Sequence, residues 1–491
     1  MRKSIVRRKQ ILTGASQSRR IKPAALALAV AACFSGAALA NPTNPTVVHG
    51  TATFQQAGNI LNITNSANAI INWGSFSIGV NELTRFIQPS ALSAVLNRVI
   101  GQDPSAILGA LQSNGRVFLI NPNGILFGSG AQIDVAGLVA STLNLSNEDF
   151  LNNRMRFTDG ALGGSVVNQG SLTGGNVYLV GNAVRNEGAI TTTPGGEVVL
   201  AAGNSVELVN PGTPNLRVEI VAPDNEAKNL GNVAAEAGRI GIYAGLIKQG
   251  GVISADSAVA SGGRILLKST KATTLEAGSV TSARGTSGGE IIALSDMREG
   301  VTTVAGTLDA SAIASGVPGN GGFIETSAAK VKVVDGSRTT AAGSGGGKPG
   351  TWLIDPMDFY IAASGGDISG SQLGSDLNAN GGTNVVITSD MGGADTGYGG
   401  SIFVNDAVTW NSVGSLTLTA RSNVEVNQAI TNSEGAGGIN LNAGWDGSSD
   451  PATPTLVPSV GNVIVNAPIS VGSAVNMAAG NGIQINDSVQ V

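Results

Sequence analysis

Apolar residues come in short runs along this chain, separated by clusters of Gly, Asn, Ser and Thr. Short apolar runs bounded by turn residues predict strands. From residue 170 onward a Gly pair precedes run after run. Gly174-Gly175 stands before Val177-Tyr178-Leu179, Gly195-Gly196 before Val198-Val199-Leu200, and Gly262-Gly263 before Ile265-Leu266-Leu267. Gly288-Gly289 precedes Ile291-Ile292 and Gly321-Gly322 precedes Phe323-Ile324, with Gly238-Arg239 before Ile240-Gly241-Ile242 as a variant. The pattern recurs at 175, 196, 238, 263, 289 and 322, with gaps of 21, 42, 25, 26 and 33. A second register follows, in which Val404-Asn405, Val426-Asn427, Val465-Asn466 and Ile485-Asn486 are spaced by 22, 39 and 20. A period of roughly 20–25 residues with about three strands per unit predicts the coil of a parallel β-helix. Coils would stack about 4.8 Å apart, with apolar side chains in inward ladders and matched Asn residues in amide ladders. A leucine-rich repeat has this period but needs a Leu/Asn framework that is absent, and a β-sandwich would not keep the period.

Three regions break the pattern. Residues 41–165 lack clean coils, and there Asp103 as a cap with Pro104 behind it predicts a helix over 103–111. Residues 147–160, polar with Phe150, Leu151, Met155 and Phe157 among them, predict an excursion or hairpin outside the rod. Residues 343–350 are Gly-rich and predict a linker.

Composition supports a folded chain with many turns. Hydrophobic residues make up 42%, charged residues only 12%, and Gly counts 70 of 491, about twice the usual share. Residues 1–40 are different material. Eight basic residues and no acid precede an Ala-rich apolar run that ends Ala38-Leu39-Ala40. That order predicts a secretory signal cleaved between Ala40 and Asn41, with Ala38 and Ala40 as the small residues of the site. Two other readings of the segment are a lipoprotein box ending at Cys33 and a twin-Arg signal at Arg19-Arg20. Without residues 1–40 the chain keeps 20 of its 28 Lys and Arg against all 33 Asp and Glu, a net charge near −13. Such a balance argues against nucleic acid and anionic membranes as partners. Cys33, the only Cys, leaves with the signal, so no intramolecular disulfide can form.

Candidate chemistry is sparse. His49 is the one His, and Glu82, Asp103, Asp134 and Glu148 have no spacing that pairs carboxylates across adjacent coils. Asp367, Asp395 and Asp446 beside Gly lack the nonapeptide period of calcium-binding repeats and read as turn residues. These features predict no enzyme, no cofactor and no metal site.

The most informative stretch is residues 118–130, FLINPNGILFGSG. Asn121-Pro122-Asn123-Gly124 has the residue order of a tight turn between two apolar strands. Together with IINWGSFSIG at 70–79, RFIQPS at 85–90, LNRV at 96–99 and GLVAST at 137–142, it resembles the N-terminal secretion domain of filamentous haemagglutinin-like exoproteins. These are the passengers of two-partner secretion. GTWLIDPMDFYI at 350–361 resembles later passenger segments.

The resemblance implies an all-β, right-handed parallel β-helix with short extra-helical hairpins and an N-terminal cap. It implies Sec export through the periplasm, a dedicated outer-membrane β-barrel transporter as partner, and a secreted or cell-surface location on a Gram-negative cell. It assigns Asn121, Pro122, Asn123, Gly124 and Ile125 to a secretion motif, either as transporter contacts or as a fold nucleus. The family's second motif is not intact, and its equivalent is Asn65-Ser66-Ala67-Asn68, which brings Asn65 and Asn68 into the same role. The expected organisation is a signal at 1–40, a secretion domain at 41–300, continuing coils at 301–342, the linker at 343–350, and further passenger coils at 351–491. Because the last run ends inside a repeat, a longer passenger is expected. The expected activity is adhesion through an unknown host or cell-surface receptor, with glycans among the candidates. Alternatives are an extracellular polysaccharide-active β-helix enzyme and the stalk of a contact-dependent toxin whose effector lies beyond residue 491.

Overall fold

The computed structural model describes residues 41–158, 163–213, 215–313, 316–389, 399–433 and 436–491. Ala38, Ala40 and Cys33 lie outside the described residues, as does Asp395. From Ile60–Asn65 onward, the chain winds as a parallel β-helix with three faces. On the first face the inward ladder runs Leu111, Ile133, Leu172, Ile190, Val233, Ile253, Thr281, Leu308 and Thr339, each paired in register with the next. Outward neighbours such as Gln132, Asp134, Ser171 and Thr173 are polar, the alternation expected of a half-buried strand. One apolar core runs through the coils from Leu61 to Val471.

The second face reads as continuous apolar runs because both of its sides are covered. Val117, Leu119, Leu138, Ala140, Val177 and Leu179 point into the rod. Phe118, Ile120, Val139, Tyr178 and Val180 point outward under a second layer. That layer is a four-stranded antiparallel sheet of Asn144–Leu145, Met155–Thr158, Ser205–Val209 and Arg217–Val221. Its apolar side (Leu145, Met155, Phe157, Val206, Leu208 and Val218) and Phe150 of the short helix Asn147–Leu151 close a second core. The predicted excursion thus contributes Met155–Thr158 to an extra-helical sheet, and Ser205–Val209 and Arg217–Val221 supply its other half.

The first coil is closed by antiparallel strands. Thr46–His49 pairs with Ala69–Trp73, and Ala52–Ala57 pairs with Ile60–Asn65. Phe54, Trp73 and Phe76 stack edge to face at 5.6 and 5.5 Å. Asn41, the residue after the expected cleavage point, is buried here. Its amide donates to Asn59 O at 3.2 Å and its Oδ1 accepts from Thr84 Oγ1 at 3.0 Å.

Two expectations are corrected. Residues 103–111 are not a helix: Ser105–Ile107 is a strand paired with Ile125–Phe127, and Ala110–Ile120 starts the next one. The Asp-Pro pair sits at a coil corner, and pairing with neighbouring coils on both sides outweighs a local cap signal. Residues 343–350 do not separate two bodies. Phe323–Ser327 stacks directly on Thr351–Asp355 and Gly350 is buried, its N–H bonded to Ala341 O at 2.6 Å. The interruption lies later, at the helix Gly370–Asn378. Ser369 caps it, accepting from the Gln372 N–H at 3.1 Å, and Leu373 and Leu377 fill the core where a first-face strand would stand. First-face pairing resumes only with Val408–Trp410 and third-face pairing with Phe359–Ile361, each in a separate sheet. The second face runs on unbroken through Thr351–Asp355, Asn384–Ser389 and Leu416–Ala420.

The predicted amide ladders are present. Asn427 donates to Asn405, Asn466 to Asn427 and Asn486 to Asn466 at 2.7–2.9 Å on the surface. A buried ladder links Asn168, Asn186, Asn229 and Gln249 at 2.7–2.8 Å.

Asp376 in the helix gives a pH-dependent term. Burial pushes its carboxyl up to about 7, although it accepts from the Thr339 N–H at 2.8 Å and from Gln372 Nε2 at 2.9 Å. An unfolded Asp ionises near about 3.9. Between those values the folded chain holds a proton that the unfolded chain has lost, so stability falls as pH rises towards about 7. The coils around Trp352 and Trp410 should therefore be more urea-resistant at pH 5 than at pH 8 by roughly 2 kcal/mol, read by their fluorescence. Asp376→Asn should flatten this dependence. A midpoint that rises from pH 5 to pH 8 would contradict the assignment.

Candidate functional site

Asn121-Pro122-Asn123-Gly124 forms the corner between the second and third faces, joining Ala110–Ile120 to Ile125–Phe127. The Gly124 N–H bonds to Asn121 O at 3.2 Å, which closes the turn. Gly124 has φ +128°, a conformation that disfavours any side chain. Asn121 is fully buried and all its polar atoms are used. Its Nδ2 donates to Asp103 O and Ser105 Oγ, both at 3.0 Å, in the preceding coil. Its Oδ1 accepts from the Asn123 N–H at 3.0 Å and Nδ2 at 3.1 Å, and its own N–H donates to Ser141 O at 2.9 Å in the following coil. Asn123 Nδ2 also reaches Gly101 O at 3.0 Å. Ile125 is buried in the core between Ser105 and Val166. One turn therefore ties three coils together, and only Pro122 and Asn123 keep partial exposure.

Asn65-Ser66-Ala67-Asn68 is also a turn, but at the corner between the first and second faces in the first coil. Asn65 is buried, its Nδ2 donating to Ser66 O at 2.8 Å, while its Oδ1 has no partner. Asn68 is exposed in the left-handed region at φ +57°, where Asn is among the better-tolerated residues. The structure does not bring the two motifs together: they occupy different corners of different coils.

Sequence reading missed a buried charge. Glu197 is fully buried beneath the outer layer. It accepts from Tyr178 Oη at 2.6 Å, the Gly212 N–H at 2.8 Å and Arg239 Nε at 2.9 Å. Burial, then the Glu197 charge, holds the Tyr178 phenol well above its ordinary value, so it stays a proton donor. The group pins the loop around Gly212 to the second face. The apparent signal was only an acid placed just after Gly195-Gly196.

Among the described residues, no three His, Cys, Asp or Glu side chains gather to hold a metal. Asp446 is a turn residue, accepting from the Ser448 and Ser449 N–H groups at 2.9 and 2.8 Å. Those bonds, Ser449 first, pull it down to about 2.

A family model described as the TPS secretion domain matches residues 38–282. The heme/hemopexin-binding protein of Haemophilus influenzae is 37% identical over 192 residues, covering 36% of this chain and 21% of that protein. A second heme/hemopexin-binding protein from Haemophilus influenzae is 38% identical over 139 residues, covering 27% of this chain and 15% of that protein. The chain thus spans about a fifth or less of these curated relatives. The crystal structure of the HMW1 secretion domain from Haemophilus influenzae is 30% identical with a TM-score of 0.61, covering 81% of this chain and 100% of that one.

Proposed function

Because this chain belongs to the exoproteins of two-partner secretion, we propose that it is an adhesin-type rod exported through a dedicated outer-membrane β-barrel and acting outside the cell without enzymatic activity. The observation that carries this reading is the passage of secretion-domain coils into further coils with no break in the second face. A rod built this way offers long outward ladders. Export would proceed as an extended chain, and burial of each coil on the last would disfavour return. Deleting the gene of the partner barrel should leave the chain in the periplasm. Undiminished surface display in that deletion strain would refute the reading. The names of the curated relatives speak of heme and hemopexin. The one His here, His49, stands alone on an exposed strand and gives no support for carrying that over.

Within this reading the 121–125 turn serves as the fold nucleus. Complete internal use of the Asn121 amide supports that role. Asn121→Ala removes hydrogen bonds to two preceding-coil groups and leaves the buried Ser105 hydroxyl without this partner, a cost of about 2–3 kcal/mol. Refolding of the purified chain should slow and surface display should fall. Once folded, the variant should bind the transporter's periplasmic domains with unchanged affinity. Weakened binding with normal refolding would instead make the turn a contact.

A further inference from the structure

A groove of about 490 Å³ lies where the outer layer meets the first coils. One wall is the rod: Asn68, Leu92, Arg116 and Phe118. The other is the excursion: Phe150, Leu151, Asn153 and Met155. Two features of its lining are unusual. Leu92 is 83% exposed and Leu151 39% exposed, so branched aliphatic side chains stand in water at its edges. The Arg116 side chain is also without a partner among the described residues.

Two other arginines of this region are engaged through their terminal nitrogens. Arg98 clamps the excursion through Asn147 Oδ1 at 2.8 Å and Leu145 O at 2.6 Å. Arg154 pairs with Glu148 at 2.7 Å and Asp149 at 2.9 Å. Arg116 has neither: its Nε is buried with no hydrogen bond, and no carboxylate among the described residues reaches it. A cation left half desolvated beside an aromatic floor and two exposed leucines is complementary to a carboxylate flanked by aliphatic side chains.

We propose that this groove is the surface by which the folded N-terminal coils hold their transporter. An extended transporter segment would set a carboxylate on Arg116 and aliphatic side chains against Leu92 and Leu151. This rests on the two-partner reading given above. Asn68, the exposed residue of the second candidate motif, lines the groove, whereas no residue of the 121–125 turn does. The walls come from residues 67 to 155, so the groove exists only after these coils and the excursion have folded. The transporter would therefore grip a folded head while later coils are still being threaded.

The test measures binding of folded chain from residue 41 onward to the full-length transporter in nanodiscs, and separately to its periplasmic domains alone. Leu92→Asp changes a residue with almost no packing, and Arg116→Met keeps the aliphatic stem while removing the charge. Each should raise Kd by about tenfold or more, and Arg116→Met should lose most of the salt dependence seen for the wild type. Val259→Asp, at an 84% exposed position elsewhere, should bind as the wild type does. Wild-type affinity in either groove variant, with the fold confirmed by hydrogen exchange, overturns the proposal. Binding lost equally in Val259→Asp overturns it too. If barrel deletion abolishes export while the groove variants bind and export normally, the groove alone is wrong. If deletion leaves export intact, the two-partner reading itself fails.

Discussion

Gly289→Ala is expected to destabilise the rod by about 3–5 kcal/mol, although it adds a single methyl group. Gly238, Gly263, Gly289, Gly322 and Gly350 stack at one corner, coil upon coil. A Cβ on Gly289 would stand 2.2 Å from Gly263 O, and one on Gly263 2.1 Å from Gly238 O. Gly322 and Gly350 repeat this at 2.1 and 2.0 Å. The obstacle in each case is backbone, which cannot rotate aside, so adjacent coils would have to part and lose ladder hydrogen bonds. None of the five has a positive φ, so close approach alone requires glycine. Gly278 provides the contrast, with φ +82° and nothing within 4 Å of its Cβ. Gly278→Ala should cost only the roughly 1–2 kcal/mol of a left-handed alanine. Urea unfolding of both variants, with hydrogen exchange in the coils around 263–322, checks this. Equal losses in the two would remove the stacking explanation.

Glu197→Ala should cost about 3–5 kcal/mol, localised to the outer layer. It strands three donors at once: Tyr178 Oη, the Gly212 N–H and Arg239 Nε. Amides of Ser205–Val209 and Arg217–Val221 should lose protection while the ladder from Leu111 to Leu308 keeps it. Tyr178→Phe should cost less, about 1–2 kcal/mol, because one bond is lost and the carboxylate keeps its other donors. Pairing Glu197→Leu with Arg239→Leu should recover part of the loss, since no unpaired charge then remains buried. Uniform deprotection along the whole rod would show that the outer layer is not a separate unit.

The coil period was legible because each turn repeats one demand at a fixed spacing. Val404-Asn405 and its successors announced both an inward ladder and an outward amide ladder, and both are present. The Gly pairs marked where each second-face strand begins, but their cause was not visible, because the obstructing carbonyl belongs to the previous coil. Glu197 was overlooked for a related reason: its partners lie 19 and 42 residues away and meet it only after folding. The helix Gly370–Asn378, sequence GSQLGSDLN, carries two Gly and a poor helical composition. Burial of Leu373 and Leu377 sustains it, which local preference could not reveal. At 103–111 the error ran the other way, a good cap overruled by strand pairing with neighbouring coils.

The helix at 370–378 also has a mechanical meaning. There the rod is joined by a continuous sheet along one side only, while strand pairing on the other two sides stops and restarts. Bending that opens the interrupted sides strains side-chain packing and isolated hydrogen bonds such as Thr339 N–H to Asp376, whereas bending that opens the continuous side must break whole backbone ladders. Stiffness is therefore directional at this level. A lateral load would deflect the rod towards its unbroken side, so that its spine lies on the inside of the curve.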